Sequence, residues 1–198
     1  MIGLYAGGFI HDFSIHLPKL GAFMNQYVIF LRGVMPTGKN RVPMADLRAA
    51  LGESGLQDVQ TYIQSGNVVA KSDLDRSSLE SHVHEVIQRE IGADIAVIAR
   101  THAQIKRVMQ GNPFPLSAAS RTYFSLLAMP PAVDLIEDLS RLEFTPDAVR
   151  VVEDTIYTLY ATKYSDSKFN NNFFERKLKV AVTTRNFNTL SRCVELSA

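Results

Sequence analysis

Short apolar runs separated by turn residues dominate the chain from Gln26 onward. Gln26–Gly33, QYVIFLRG, is rich in β-branched and aromatic side chains and stops at glycine, the pattern of a buried strand. After a loop through Val42, Pro43 suits the first turn of a helix, and Met44, Leu47 and Leu51 follow at helical spacing before Gly52 and Gly55. Val59–Gln64 and Asn67–Lys71 predict two strands around Ser65-Gly66, a dipeptide that supplies the positive φ of a tight antiparallel hairpin. Ser77 and Glu80 have the spacing of a capping box, and Leu79, Val83, Val86 and Ile87 mark one face of a helix that runs to about Ile91. A strand at Asp94–Ala99 completes the order β-α-β-β-α-β, which is ferredoxin-like.

The same order is predicted a second time. A connecting helix at Ala103–Met109 ends at Gly111-Asn112-Pro113, and a strand follows at Thr122–Met129. A helix comes after Pro130-Pro131, then Val149–Glu153 and Ile156–Ala161 form a hairpin around Asp154-Thr155. A helix near Phe173–Leu178, a strand near Val180–Thr183 and a last helical turn through Leu190 finish the set. The expectation is an α+β protein of two ferredoxin-like, α/β-plait halves, residues 24–110 and 111–198. The repeat is one of pattern, without matching residues between the halves.

Residues 1–23 stand apart. They are apolar but carry His11, Asp12, His16 and Lys19, so no apolar run approaches membrane-spanning length, and no early basic residue marks a secretory signal. Their reading is a leader or non-native extension before Met24, with a docking arm as the alternative. His11 and His16, five apart and without cysteine or carboxylate support, make a poor metal site.

Composition narrows the function classes. A 46% hydrophobic chain of 198 residues has ample material for a core, and 21 basic against 20 acidic side chains exclude a nucleic-acid-coating or membrane-surface character overall. The tail is mildly basic, with seven basic against three acidic residues from Lys163 onward. A single cysteine, Cys193, cannot form an internal disulfide, which fits a cytoplasmic location.

Chemistry-bearing residues gather at predicted strand ends. Gly33 to Lys39, GVMPTGK, has the spacing of a phosphate-cradling loop between a strand and a helix. Asn40 stands where a hydroxyl would hold Mg²⁺, and Pro43 starts the helix too late, so the loop fits a plain anion site rather than a nucleotide hydrolase. In a ferredoxin-like half the first two strands run parallel, which puts Arg32, Gly33, Gly38, Lys39, Asn40 and Arg41 on one edge with Gln64, Ser65 and Asn67, roughly 10 Å away across one intervening strand. Turn formation and solvation are the plainer explanation of the same residues. Thr183-Thr184-Arg185-Asn186 offers hydroxyls, a guanidinium fork and an amide at a strand-to-helix junction; it suits anion recognition, or else Thr184 or Asn186 caps the helix and Arg185 braces the joint between halves. Lys168, Arg176, Lys177 and Lys179 interleave with Phe169, Phe173 and Phe174 like a nucleic-acid surface, although such phenylalanines more often belong to a core. His82 and His84 project to different sides of one helix, and His102 decorates or caps the next.

YVIFLRG with GKN, MADLRAAL, TYIQSGNVV and KLKVAVTTRNFNTL together resemble the bacterial family known as domain of unknown function 1697. The resemblance spans about Met24 to Leu196 and implies two plait-like α+β halves with no assigned activity. Met35-Pro36-Thr37 departs from that family's glycine- and asparagine-bearing loop, and Phe187 replaces a common tryptophan.

The expected function is a module that binds an anionic small ligand or partner through Arg32, Gly33, Gly38, Lys39, Asn40, Gln64, Ser65, Asn67, Thr184, Arg185 and Asn186, without metal, cofactor or membrane. The alternatives are an enzyme acting on a phosphorylated or carboxylated metabolite, with Arg32, Lys39 and Arg185 stabilising charge, and a nucleic-acid-binding module. The sequence leaves the oligomeric state open.

Overall fold

A computed structural model describes residues 23–198. The leader reading, including His11 and His16, falls outside the described residues apart from Phe23. Two four-stranded antiparallel sheets form. The first comprises β1 (Asn25–Leu31), β2 (Gln57–Tyr62), β3 (Asn67–Ser72) and β4 (Val97–Thr101) in the order β2-β3-β1-β4. The second comprises β5 (Thr122–Leu127), β6 (Ala148–Val152), β7 (Thr155–Leu159) and β8 (Val182–Asn186) in the order β6-β7-β5-β8. With α1 (Met44–Glu53) and α2 (Arg76–Glu90) in one half, and α4 (Val133–Ser140) and α5 (Asn171–Leu178) in the other, each half is ferredoxin-like. Helix α3 (His102–Gln110) leaves β4 and α6 (Phe187–Leu196) leaves β8 at equivalent places.

Strand alternation divides the molecule into three cores. Tyr27, Ile29 and Leu31 of β1 face α1 and α2, meeting Leu47, Leu79 and Val83. Val28 and Phe30 face the other way, into a cluster with Phe124 and Leu126 of β5, Ile105 of α3 and Leu190 and Cys193 of α6. Leu127, Ile156 and Val182 close against Leu139 of α4 and Phe174 and Leu178 of α5. The middle cluster is common to both sheets, so the halves share a buried face.

The departures from expectation follow from polar residues that find buried partners. Strand β4 runs on through Arg100 and Thr101 rather than ending at Ala99, and β8 runs on through Arg185 and Asn186 rather than ending at Thr183. Strand β2 lies two residues earlier than expected, with an irregular register between Gln57 and Gln60. Helix α2 is capped by Asp75, whose side chain accepts from Ser78 N at 2.9 Å, in place of the predicted Ser77–Glu80 box. The Glu80 carboxylate instead accepts from Ala99 N at 2.7 Å and Arg76 Nε at 3.0 Å. A capping box does occur one helix later, between Thr101 and Gln104 at the start of α3. Helix α6 is ten residues long, well past the single turn expected, with Asn186 as its cap accepting from Thr189 N at 2.8 Å. Phe169 and Phe174 are buried in the third core, and Lys168 sits 5.1 Å over the Phe169 ring, so the basic and aromatic stretch does not form a stacking surface. No helix among the described residues is long and apolar enough to cross a membrane.

Candidate functional site

The register of the two sheets makes the halves comparable residue by residue. Val28 pairs with Arg100 across β1–β4, and Phe124 pairs with Arg185 across β5–β8. Each arginine therefore sits at the fourth position of a V-x-x-R strand, followed by the N-cap of the next helix, Thr101 or Asn186. Both point into the face shared by the halves, and each reaches across it.

Arg185 reaches the first half. Its Nε donates to Asn67 Oδ1, its Nη2 to the carbonyls of Leu31 and Ser65 at 3.0 Å and of Gly66 at 3.3 Å, and its Nη1 to Thr183 Oγ1 and Thr184 O at 2.8 and 2.9 Å. The guanidinium also lies 5.4 Å over the Phe30 ring. Burial pulls its pKa down to about 10, so it remains charged at neutral pH. The turn it grips is shaped by Gly66, whose φ is +77° and where a Cβ would stand 2.7 Å from Leu31 Cβ.

The other residues singled out from the sequence are spread around this joint. Arg32 makes a two-pronged ion pair with Glu175 of α5 at 2.9 and 3.0 Å and donates to Asn172 Oδ1 at 2.6 Å. Gln64 Nε2 donates to Val42 O at 2.9 Å, tying the β2–β3 turn to the loop after β1, and Asn67 Nδ2 donates to Tyr62 O and Ser65 Oγ. Thr184 Oγ1 bonds Ser125 Oγ at 2.7 Å and donates to Asn171 Oδ1. Gly33 and Gly38 supply positive φ in the loop, at +79° and +81°. Lys39 and Arg41 are exposed at its tip, with Asn40 half-buried between them. The structure thus joins Ser65, Asn67 and Arg185 directly, whereas the side chains of Arg32, Gln64, Thr184 and Asn186 bond to residues outside the predicted set.

Arg100 reaches the second half, and its surroundings are different. Nη2 donates to Leu127 O at 2.6 Å and to Asp154 Oδ2 at 2.7 Å, and Nη1 to Ala99 O at 2.8 Å, while Nε is buried without an acceptor among the described residues. Burial lowers its pKa, and the Asp154 carboxylate opposes the shift. Arg76 stands alongside, with Nη1 3.7 Å from Asp154 and Nη2 donating to Ala128 O. These groups line a cleft of about 650 Å³ together with Gln104 and Arg107 of α3, the start of α4 and the β6–β7 turn. Arg107 is exposed and takes part in no side-chain hydrogen bond or ion pair among the described residues. Tyr157 closes the floor by donating to Val108 O at 3.0 Å, and Gly111 leaves room for its hydroxyl, which a Cβ there would meet at 3.1 Å.

Sequence reasoning missed Arg76, Arg100 and Arg107 and took Asp154 only as a turn residue. Of these only Arg100 leaves a sequence signal, the recurrence of Val97-Ile98-Ala99-Arg100-Thr101 as Val182-Thr183-Thr184-Arg185-Asn186. The three histidines among the described residues bond within the fold: His82 bonds Ser54 Oγ, His84 bonds Ile95 O, and His102, the first residue of α3, bonds Ser197 Oγ.

Fold and site define a double ferredoxin-like protein whose two halves exchange arginines across a shared core. The chain belongs to the family described as "Protein of unknown function (DUF1697)", which matches residues 24–157. It is also similar to a solved structure, that of a conserved bacterial protein from Streptococcus pneumoniae, with 23% identity over 89% of this chain and 100% of that one and a TM-score of 0.69. At that identity the likeness carries the fold alone. No curated protein matches the chain.

Proposed function

We propose that this protein is a bacterial, cytoplasmic binding module that takes an anionic small ligand in the cleft between its halves. One observation carries the reading: Arg76, Arg100 and Arg107 converge on a single cleft, and the buried Nε–H of Arg100 has no acceptor among the described residues. A buried donor left unpaired costs about 1–3 kcal/mol, and native chains rarely leave one without a function or a guest that completes it. An anion entering between Arg100 and the free Arg107 supplies acceptors to both. The cleft volume lies within the range of small-molecule sites, roughly 300–1,000 Å³. This reading moves the seat away from the Gly33–Asn40 loop, where Arg32 is already paired to Glu175. Cytoplasmic placement rests on the one cysteine, free and buried, and the bacterial assignment on the source of the similar structure.

Thermal unfolding with a panel of carboxylates, inorganic phosphate and nucleotides tests it. A ligand at 100 times its Kd adds about 2.7 kcal/mol of stability. The shift is expected to vanish in R107A, whose side chain is exposed, and to persist in the K39A/R41A double variant. The reverse pattern would return the seat to the loop after β1, and the absence of a shift from every anion would remove the reading altogether.

A further inference from the structure

The cleft has two unlike walls. One carries Arg76, Arg100, Gln104 and Arg107, and the other is apolar, built from Pro130 and Pro131 ahead of α4, Val133 and Ile136 within it, and Val152 at the end of β6. Val133 and Val152 are 71% and 45% exposed, and Met129 beside them is 59% exposed. Single exposed apolar residues need no explanation, but several gathered on one lip of a cavity mark a binding surface. The charge of the lining is also specific. Three arginines stand against Glu153, Asp154 and Glu80, whose carboxylate pairs with Arg76, so the charges cancel and Arg107 is the guanidinium left for a ligand. One negative charge meets Arg107 there, whereas a second would lie unpaired beside three carboxylates.

We infer that the cleft selects amphipathic monocarboxylates, with the carboxylate head on the arginine wall and an apolar body along Val133 and Val152, in preference to phosphorylated ligands. The inference rests on the reading of the cleft as an anion seat and adds the class of molecule that fills it. The planar fork of a guanidinium matches a carboxylate in two parallel hydrogen bonds, so the head is fixed by the fork of Arg107 and by the one donor Arg100 has left, its Nε–H. The body displaces water from the α4 wall, which gives affinity proportional to the apolar surface it covers.

Isothermal titration of the full chain with straight-chain carboxylates from acetate to octanoate, and with inorganic phosphate and hexyl phosphate, tests this. Affinity is expected to rise about fourfold per methylene until the tail fills the cleft. The phosphates should bind more weakly than the carboxylate of equal chain length. In the V133N/V152N double variant, where both positions are exposed and no charge is added, the gain in affinity per methylene is lost. R107A weakens every acid by the same factor. Carboxylates that bind with no dependence on chain length overturn this inference and leave the anion reading standing. A chain-length gain that survives V133N/V152N overturns it as well, since the tail then lies elsewhere. Binding by none of the compounds removes both.

Discussion

Arg185 and Arg100 occupy the same register position in duplicated halves, yet one joint is closed and the other is open. Arg185 spends its donors on neutral acceptors: the Asn67 amide, the Thr183 hydroxyl and a set of main-chain carbonyls. Arg100 spends two nitrogens on Leu127, Ala99 and Asp154 and leaves the third without a partner among the described residues. The opposing hairpin decides the difference. Leu31 N donates to Gly66 O in one half and Leu127 N to Asp154 O in the other, so Gly66 and Asp154 are counterparts. Without a side chain, the turn at Gly66 closes directly onto Leu31 and the arginine meets its carbonyls. With Asp154 in that place, the arginine meets a carboxylate at the edge of a cleft. The same scaffold thus closes one joint and leaves a cleft at the other.

The strongest way to break this comparison is to remove each guanidinium at similar volume. R185M orphans Asn67 Oδ1 and the carbonyls of Leu31 and Ser65 within the protein and should lower stability by about 3 kcal/mol or more. R100M should cost only about 1 kcal/mol, because Asp154 keeps Arg76 and some solvent and the unpaired Nε is removed with the side chain. Urea denaturation of the two variants, with unchanged m-values, reads the difference. Equal losses would mean that the two joints carry the same load.

How much of this was legible in the sequence follows from the kind of signal each feature leaves. The strand and helix order was readable because Gln26–Gly33, the hairpin around Ser65-Gly66 and the face of Leu79, Val83 and Ile87 have clear periodicity. The ends of β4 and β8 were not, because a buried arginine looks like a strand terminus to any pattern that equates charge with solvent. Capping chemistry was ambiguous at Asp75 against Ser77, since both are good caps and only the tertiary pull of Ala99 N and Arg76 on Glu80 separates them. In the predicted loop cluster Gln64 bonds the Val42 carbonyl and Arg32 pairs with Glu175, and the wealth of donors around Arg185 reflects a joint, because Arg185 finds partners 118 to 154 residues away. The cleft was invisible because Arg76, Arg100, Arg107 and Asp154 lie on four separate elements and share no local motif.

A smaller effect sharpens the contrast between the two turns. G66A forces an alanine into φ +77° and against Leu31 Cβ, and should cost about 2 kcal/mol. At the other turn Glu153 already holds φ +53° with a side chain, and E153G should raise stability by several tenths of a kcal/mol by relieving that strain. Thermal or urea midpoints of the pair give the signs. A neutral G66A would show that the closed turn relaxes freely, and the argument for its role in closing the joint would fail.

The smallest effect lies on the alkaline side and separates the two joints by pH. Cys193, which feels the Arg185 guanidinium, has its thiol pushed up to about 11 by burial from an ordinary 9.0, with that guanidinium partly opposing the shift. Tyr157, on the floor of the cleft, is pushed up to about 12 from 10.0 by burial, with the negative charges of Glu153 and Asp154 adding to it. Both groups are neutral when protonated and hold the proton longer in the folded state. The unfolded chain therefore releases its protons first, and stability is full below pH 9, falls through pH 9–11 as the thiol contribution is lost, and falls through pH 10–12 as the phenol contribution is lost. Chemical denaturation across this range should show C193A without the earlier part of the decline and Y157F with a shallower later part, because buried Tyr27 and Tyr160 also hold their protons longer in the folded state. Occupancy of the cleft by a bound carboxylate adds one more negative charge beside Tyr157, so ligand should shift the later limb to higher pH and leave the earlier one in place.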